Sequence, residues 1–213
     1  MLKKIGISGL LILFLSCSMS RKDYFFSPNL PNSFNSAVAV LPFDNASTDI
    51  SAEKFLRDMV AKRFVEKGWT IIPNDKVDEK LQELGISDGG QLAAFKSQDI
   101  ANKIGARILC YGYIEDFKFQ NLGFIINKKV TLNIKLVDGI SGENLFEATG
   151  NGSDTKIYTN KDEAKEAFLV NSAIKLAGNI LNKPLLVESE KAVDEIFKLL
   201  KCAVEGKSSC YGR

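Results

Sequence analysis

The sequence of 213 residues contains no histidine. Histidine is the commonest general base and the commonest nitrogen ligand of transition metals in proteins, so its absence excludes Ser-His-Asp and Cys-His catalysis and any imidazole-based zinc site. No glycine pattern that cradles phosphate follows the first buried strand of the sequence. We therefore predict no catalytic residue, no metal and no cofactor.

The sequence also lacks an excess of charge of either sign. It contains 28 Lys and Arg against 26 Asp and Glu, and loss of residues 1–16 removes two lysines and no acid, which leaves 26 of each. A neutral chain lacks the basic surplus that neutralises the phosphates of nucleic acids, so we predict no nucleic-acid partner. The apolar content of 45% and the charged content of 25% are those of a folded globular domain.

Near its N-terminus the chain has an apolar run that is too short for a membrane-spanning helix, which needs about 20 residues. The run, Ile5 to Leu15, follows two lysines and ends at Ser16 and Cys17, a layout typical of a bacterial export signal. Phe14-Leu15-Ser16-Cys17 resembles a lipobox, with Phe14 where leucine is usual. It predicts cleavage before Cys17 and attachment of lipid to that cysteine. The alternatives are an uncleaved anchor or an ordinary secretory signal followed by an unmodified thiol.

Cysteine is scarce, with four in the chain. Cys110 lies in a predicted strand, and we expect a buried apolar residue there rather than a reactive thiol. Cys202 and Cys210 are then left in a compartment where disulfides persist, and we predict a bond between them; two free thiols are the alternative. Closing this nine-residue loop would contribute about 2–3 kcal/mol in the chain-entropy model.

Composition and periodicity divide the chain into four parts. We predict a signal peptide at 1–16, a lipidated N-terminus and tether at 17–36, a single α/β domain at 37–205 and a tail at 206–213. The tether is rich in Ser, Asn and Pro, as linkers are. Its aromatic residues are unusual for a linker, and they either pack back on the domain, which we favour, or contact the bilayer or a partner: Tyr24, Phe25, Phe26 and Phe34.

Within the domain, strand-like runs alternate with helical patterns. Ala37 to Phe43 is continuously apolar, as in a strand that is covered on both faces. Further runs at 69–73 and 106–119 are separated by helices and indicate a partly parallel sheet. Residues 124–149 alternate between apolar and polar and predict a β-hairpin. With two C-terminal helices, the fold class is α/β, a mixed sheet of about five strands with helices on its faces.

Local signals mark the helices of the predicted domain. Ser51 and Asn74 are the expected N-caps of the helices that follow them. Arg57 falls on the exposed face of the helix at 51–67. In the helix at 161–182 we expect Phe168 to face inward, and in the helix at 189–203 the expected inward residues are Val193, Ile196, Phe197 and Leu200.

The loop after the first buried strand is the candidate binding site. Ligands of α/β sheets bind outside the carboxyl ends of the parallel strands. Here that edge carries Asp44, Asn45, Ser47 and Thr48, which could hold an anion at the start of the next helix. The alternative is that these residues only form a turn and cap the helix.

Glu115 and Asp116 are a second candidate pair. They are adjacent on a strand, so they face opposite sides and do not form an acid and base pair.

Four segments of the sequence, 23–47, 68–73, 104–117 and 135–150, carry a resemblance to a known family. They resemble the small conserved bacterial lipoproteins first noted among neisserial surface-antigen candidates, which are similar in fold to the N-terminal domain of TolB and the core of the curli-secretion lipoprotein CsgG. The resemblance implies an outer-membrane lipoprotein that faces the periplasm or the cell surface, with other envelope lipoproteins and copies of itself as partners. It carries over one functional residue, the acylation site Cys17.

We therefore expect a lipid-anchored, non-enzymatic interaction or accessory component of an envelope transport or surface-assembly system. The membrane is contacted through the lipid anchor. The alternative is a periplasmic protein that binds a small ligand with the loop at Asp44 to Thr48.

Overall fold

The computed structural model describes residues 24–30, 36–122, 124–180 and 185–205. The strands are β1 Tyr24–Phe26, β2 Val38–Val40, β3 Asp44–Asn45, β4 Ile71–Ile72, β5 Ile108–Asn121, β6 Ile125–Asp138 and β7 Asn144–Ile157. The helices are α1 Ala52–Glu66, α2 Asn74–Gln82, α3 Ser97–Ile104, α4 Lys161–Ile180 and α5 Leu186–Glu205, with a 3-10 helix at Gly89–Ala94.

All seven strands belong to one mixed sheet, in the order β1-β7-β6-β5-β2-β4, with β3 beside β5. β2 runs parallel to both β4 and β5, whereas β5, β6 and β7 form an antiparallel ribbon of strands with 14 residues each. The predicted α/β class with a mixed sheet is confirmed. The sheet has seven strands rather than about five because β1 and β3, with three and two residues, are too short for a period to show in the sequence.

Helices cover both faces of the parallel part of the sheet. Val38 and Val40 face α1 and α5 in one core, while Ala39 faces α2 and α3 in a second core. All three side chains are fully buried. This two-sided burial explains why the run from Ala37 to Phe43 shows no alternation.

The C-terminal helix α5 packs unusually close to β7. A Cβ atom on Gly150 would overlap the carbonyl oxygen of Ala192, and one on Gly152 would overlap that of Glu188. Between these glycines the backbone N–H of Asn151 donates to the carboxylate of Glu195 at 2.9 Å. The predicted inward residues of this helix are confirmed as buried: Val193, Ile196, Phe197 and Leu200.

The sheet begins inside the segment that the sequence assigns to the tether. β1 pairs antiparallel with β7, with Tyr24 opposite Ala148 and Phe26 opposite Phe146. Tyr24 and Phe26 pack against the core, and Leu30 is fully buried. The interpretation that these aromatic residues pack back on the domain is confirmed for Tyr24 and Phe26. It is wrong for Phe25, which is 49% exposed because alternate residues of a strand face opposite sides, and Phe34 lies outside the described residues.

Several local expectations differ from the structure. Neither expected N-cap makes a capping bond, because the Ser51 hydroxyl donates to Asp49 Oδ1 at 2.6 Å and Asn74 is already the first residue of α2. β7 continues to Ile157, beyond the predicted hairpin end at 149. Phe168 is exposed rather than buried, because no other described element packs extensively against α4.

Candidate functional site

A cavity of about 220 Å³ opens at the carboxyl end of β2, between α1 and the 3-10 helix. This is the edge of the sheet at which the sequence places the binding site. The charged lining comes from Glu53, Arg57, Asp78 and Asp88 rather than from the loop residues Asp44 to Thr48. The cavity therefore lies at the same edge of the sheet as the predicted site, but it is lined by neighbouring residues.

Arg57 is the central charged residue of this cavity and is only 6% exposed. Its Nε and Nη2 atoms donate to the Val40 carbonyl oxygen at 3.1 and 3.0 Å. Its Nη1 and Nη2 atoms donate to the two carboxylate oxygens of Asp78 at 3.1 and 2.7 Å. The guanidinium thus joins the end of β2 to α1 and α2, and the prediction that Arg57 lies on an exposed helical face is wrong.

Other polar groups at this edge also make structural contacts. Glu53 Oε1 accepts a hydrogen bond from the backbone N–H of Phe43 at 3.1 Å. Asp44 and Asn45 form β3, opposite Tyr113 and Ile114 of β5. The polar atoms of Arg57 and Glu53 are therefore engaged largely in joining strands to helices.

The polar loop after β3 is held together by its own side chains. Asn45 Nδ2 donates to the carbonyl oxygen of Asp49 at 2.9 Å, and Asn45 Oδ1 accepts from the backbone N–H of Ser47 at 2.9 Å and its hydroxyl at 2.7 Å. Asp49 Oδ1 in turn accepts from the backbone N–H of Ser51 at 3.0 Å. These contacts fit the turn and capping alternative, and ligand binding by Asp44, Asn45, Ser47 and Thr48 stays a prediction.

Replacing Asn45 with alanine is expected to lower the free energy of unfolding by about 1 kcal/mol, since it removes the acceptor and donor that close this loop. Urea denaturation of the purified domain measures the change. Thr48→Ala, at an exposed position of the same loop, is the matched control and is expected to change stability by less than about 0.5 kcal/mol. Equal stability of the two variants would contradict a structural role for Asn45.

Glu115 lies in a β-bulge, because the pairing of β5 with β6 shifts between Ile114 and Asp116 and leaves Glu115 without a partner in the strand register. Asp116 forms ion pairs with Lys118 and Lys129, each at 2.6 Å. Hydrogen bonds from these two lysines hold the pKa of Asp116 below its usual value. Asp116 is therefore an ionised, paired residue of the antiparallel ribbon.

The cysteines differ in what the structure shows. Cys110 is fully buried in β5, and burial raises the pKa of its thiol, as expected for an unreactive apolar residue. Cys17 lies outside the described residues. Cys202 belongs to α5, but Cys210 lies outside the described residues, so the disulfide between them stays a prediction.

In the described ranges, no group of three or more Cys, Asp or Glu side chains has the arrangement of a metal site. None of the helices in those ranges is both long enough and apolar enough to cross a bilayer.

A mixed sheet with helices on both faces of its parallel part places the chain in the α/β fold class. Within that class, the chain belongs to the family described as "Putative lipoprotein GNA1162-like", whose model matches residues 25–196. The match includes β2 to β7, α4 and about half of α5. No curated protein is detectably similar to the chain.

Two solved structures show the same fold. The lipoprotein GNA1162 from Neisseria meningitidis is 17% identical with a TM-score of 0.53, and the match covers 68% of this chain and 99% of that one. The hypothetical protein CT253 from Chlamydia trachomatis is 10% identical with a TM-score of 0.50, covering 81% of this chain and 99% of that one. The family resemblance to neisserial lipoproteins is thereby confirmed, whereas the likeness to TolB and CsgG stays a prediction.

Proposed function

We propose that this protein is a lipid-anchored, non-enzymatic accessory component of the bacterial envelope, held by acylated Cys17 in the outer membrane and facing the periplasm. The observation that carries the proposal is the lipoprotein-family match over residues 25–196, which begins eight residues after the cysteine of the lipobox. Lipid on both the sulfur and the amino group of Cys17 supplies the several acyl chains that stable anchoring needs.

The position of the anchor also supports an accessory role. Tyr24, the first residue of β1, follows Cys17 by only seven residues. The domain is therefore confined close to the bilayer, and confinement raises the effective concentration of any partner that is held in the same membrane. Weak contacts with other envelope lipoproteins, or with further copies of this chain, then suffice for assembly in a transport or surface-assembly system.

Replacing Cys17 with alanine is expected to release nearly all of the protein from membranes that have been washed with alkaline carbonate, since the washed bilayer retains only proteins with acyl chains or spanning segments. Fractionation of cells followed by immunoblotting measures the membrane-bound share. The circular dichroism spectrum is expected to stay unchanged, because Cys17 precedes the folded domain.

Ser16→Ala is the matched control, because it keeps a small residue before the cysteine and is expected to leave the protein in the membrane fraction. Retention of the Cys17→Ala protein after the same wash would contradict the lipid anchor.

Binding of a small ligand at the carboxyl edge of the sheet is the second candidate function. The cavity of about 220 Å³ beside Phe43 and Arg57 favours it, because it adjoins the loop at Asp44 to Thr48. A screen of metabolites by thermal shift distinguishes the two functions. A ligand that raises the unfolding midpoint of the wild type, but not that of Asp44→Ala, is the result expected of a binding protein.

A further inference from the structure

The antiparallel ribbon of β5, β6 and β7 ends in an exposed apolar surface, the ribbon tip, formed by Leu122, Phe124, Ile125 and Ile157. The side chains of these four residues are between 38 and 70% exposed. Ile125 lies opposite Ile157 in the strand register, and the backbone N–H of Tyr158 donates to the Phe124 carbonyl oxygen at 2.8 Å. Strand pairing thus holds apolar side chains from two strands and their connection together.

The ribbon tip extends past the N-terminal end of α5. The carbonyl of Glu188, in the first turn of α5, lies over Gly152 of β7, and the strand continues for five residues beyond that point. At the opposite end of the ribbon, the turn between β6 and β7 exposes a single large apolar residue, Ile140, and is otherwise polar. The concentration of exposed apolar residues is therefore specific to one end of the ribbon.

The direction of β1 relates the ribbon tip to the lipid anchor. β7 runs toward the tip and β1 is antiparallel to it, so the chain that precedes Tyr24 enters from the side of the tip. Tyr24 pairs with Ala148 of β7, and Ile157 lies nine residues further along that strand. Nine strand residues span about 30 Å, which is therefore the distance along β7 from the level of Tyr24 to the tip. The seven residues from Cys17 to Tyr24 reach at most about 25 Å when extended. The direction of β1 at Tyr24 and this maximum length would therefore allow Cys17 to lie on the same side of the domain as the tip.

Lysines border the ribbon tip. Lys128 lies 6.0 Å from the ring centroid of Phe119, and Lys156 is exposed one residue before Ile157. Lys118 and Lys129 are paired with Asp116, and Asp154 lies opposite Lys128 in the strand register, so the net positive charge near the tip is small. Apolar residues with a few bordering lysines are the chemistry that fits the interface of a phospholipid bilayer, where apolar groups are buried and ammonium groups stay among the headgroups.

We propose that the ribbon tip inserts into the interfacial layer of the bilayer that holds Cys17, so that the domain contacts the membrane at two points. This proposal rests on the lipid anchor proposed above. The tip dips into the headgroup region and the adjoining acyl chains without crossing the bilayer. Two contacts fix the orientation of the sheet relative to the membrane, whereas a tether alone leaves the domain free to turn.

Fluorescence of the acylated mature protein in phosphatidylcholine and phosphatidylglycerol vesicles tests the proposal. The chain has one tryptophan, Trp69, which is 5% exposed in the core and serves as an internal background. Phe124→Trp places a reporter at the tip, and Ile140→Trp places a matched reporter at the opposite end, where the side chain is 68% exposed. With lipids brominated on their acyl chains, Phe124→Trp is expected to shift to the blue and to be quenched at least about twofold more than Ile140→Trp, since interfacial insertion reaches the acyl boundary.

Flotation of the same vesicles separates this proposal from the anchor. If the protein floats with the vesicles but quenching of Phe124→Trp equals that of Ile140→Trp, the tip does not insert while the anchor stands. If the protein does not float, the anchor fails and the proposal falls with it. A blue shift of Phe124→Trp that appears in lipid-free buffer on the Cys17→Ala background and rises with protein concentration would show that a second copy covers the tip, which also overturns the proposal.

Discussion

Gly152→Ala is expected to lower the free energy of unfolding by about 3 kcal/mol or more, because overpacking against a backbone that cannot move aside is at the costly end of core substitutions. The added Cβ would occupy the position of the Glu188 carbonyl oxygen. A flexible side chain could rotate away, but a carbonyl inside α5 can retreat only if the whole helix shifts. That shift would separate the helix from β6 and β7 and open the larger of the two cores.

Chemical denaturation followed by circular dichroism measures this loss. Ser153→Ala is the matched control, because Ser153 is the next residue of β7 and is exposed, so its replacement is expected to change stability by less than about 0.5 kcal/mol. A Gly152→Ala protein as stable as the Ser153→Ala protein would show that α5 does not pack as closely on β7 as the structure indicates.

Arg57→Met is expected to lower the free energy of unfolding by about 2–3 kcal/mol. Methionine fills similar space but donates no hydrogen bond, so the buried carbonyl of Val40 loses the donors that Arg57 supplies, which costs about 1–3 kcal/mol. Asp78 also loses its partner, but its side chain is 41% exposed and water replaces part of the interaction. The total therefore stays below the cost of breaking a fully buried ion pair.

Lys54→Met on the same helix is the control for Arg57. Lys54 lies 3.2 Å from Asp58 in an ion pair whose side chains are 84 and 52% exposed, and such pairs contribute at most about 0.5 kcal/mol. Urea denaturation of the two variants under identical conditions compares them. Equal stability would contradict the account of Arg57 as the link between β2, α1 and α2.

The sequence predicts those parts of the fold in which neighbouring residues decide the outcome. β2 is buried on both faces, so its apolar run is continuous, and the buried face of α5 repeats at the helical period in Val193, Ile196, Phe197 and Leu200. Gly105 ends α3 in a left-handed conformation, as its place after Ile104 indicates. Each of these signals is contained in a short stretch of chain.

Features that depend on residues far away in the sequence cannot be predicted from such local patterns. Arg57 has the helical position of a surface residue, and only its partners Val40 and Asp78, 17 and 21 residues away, make it a buried one. Nothing in the sequence around Gly150 and Gly152 indicates that glycine is required there, because the requirement comes from the close packing of α5 on β7. The ribbon tip brings together Ile125 and Ile157, which are 32 positions apart, through the strand register. The acylation site itself is a local motif, and it stays a prediction because Cys17 precedes the described residues.

Intact-mass analysis of the mature protein purified from membranes tests the central claim most directly. The account predicts a chain that begins at Cys17 and is heavier than its polypeptide by acyl groups on the sulfur and the amino terminus. An unmodified thiol at Cys17, or a mature chain that begins at another residue, would contradict the lipid anchor and the functional proposals that rest on it.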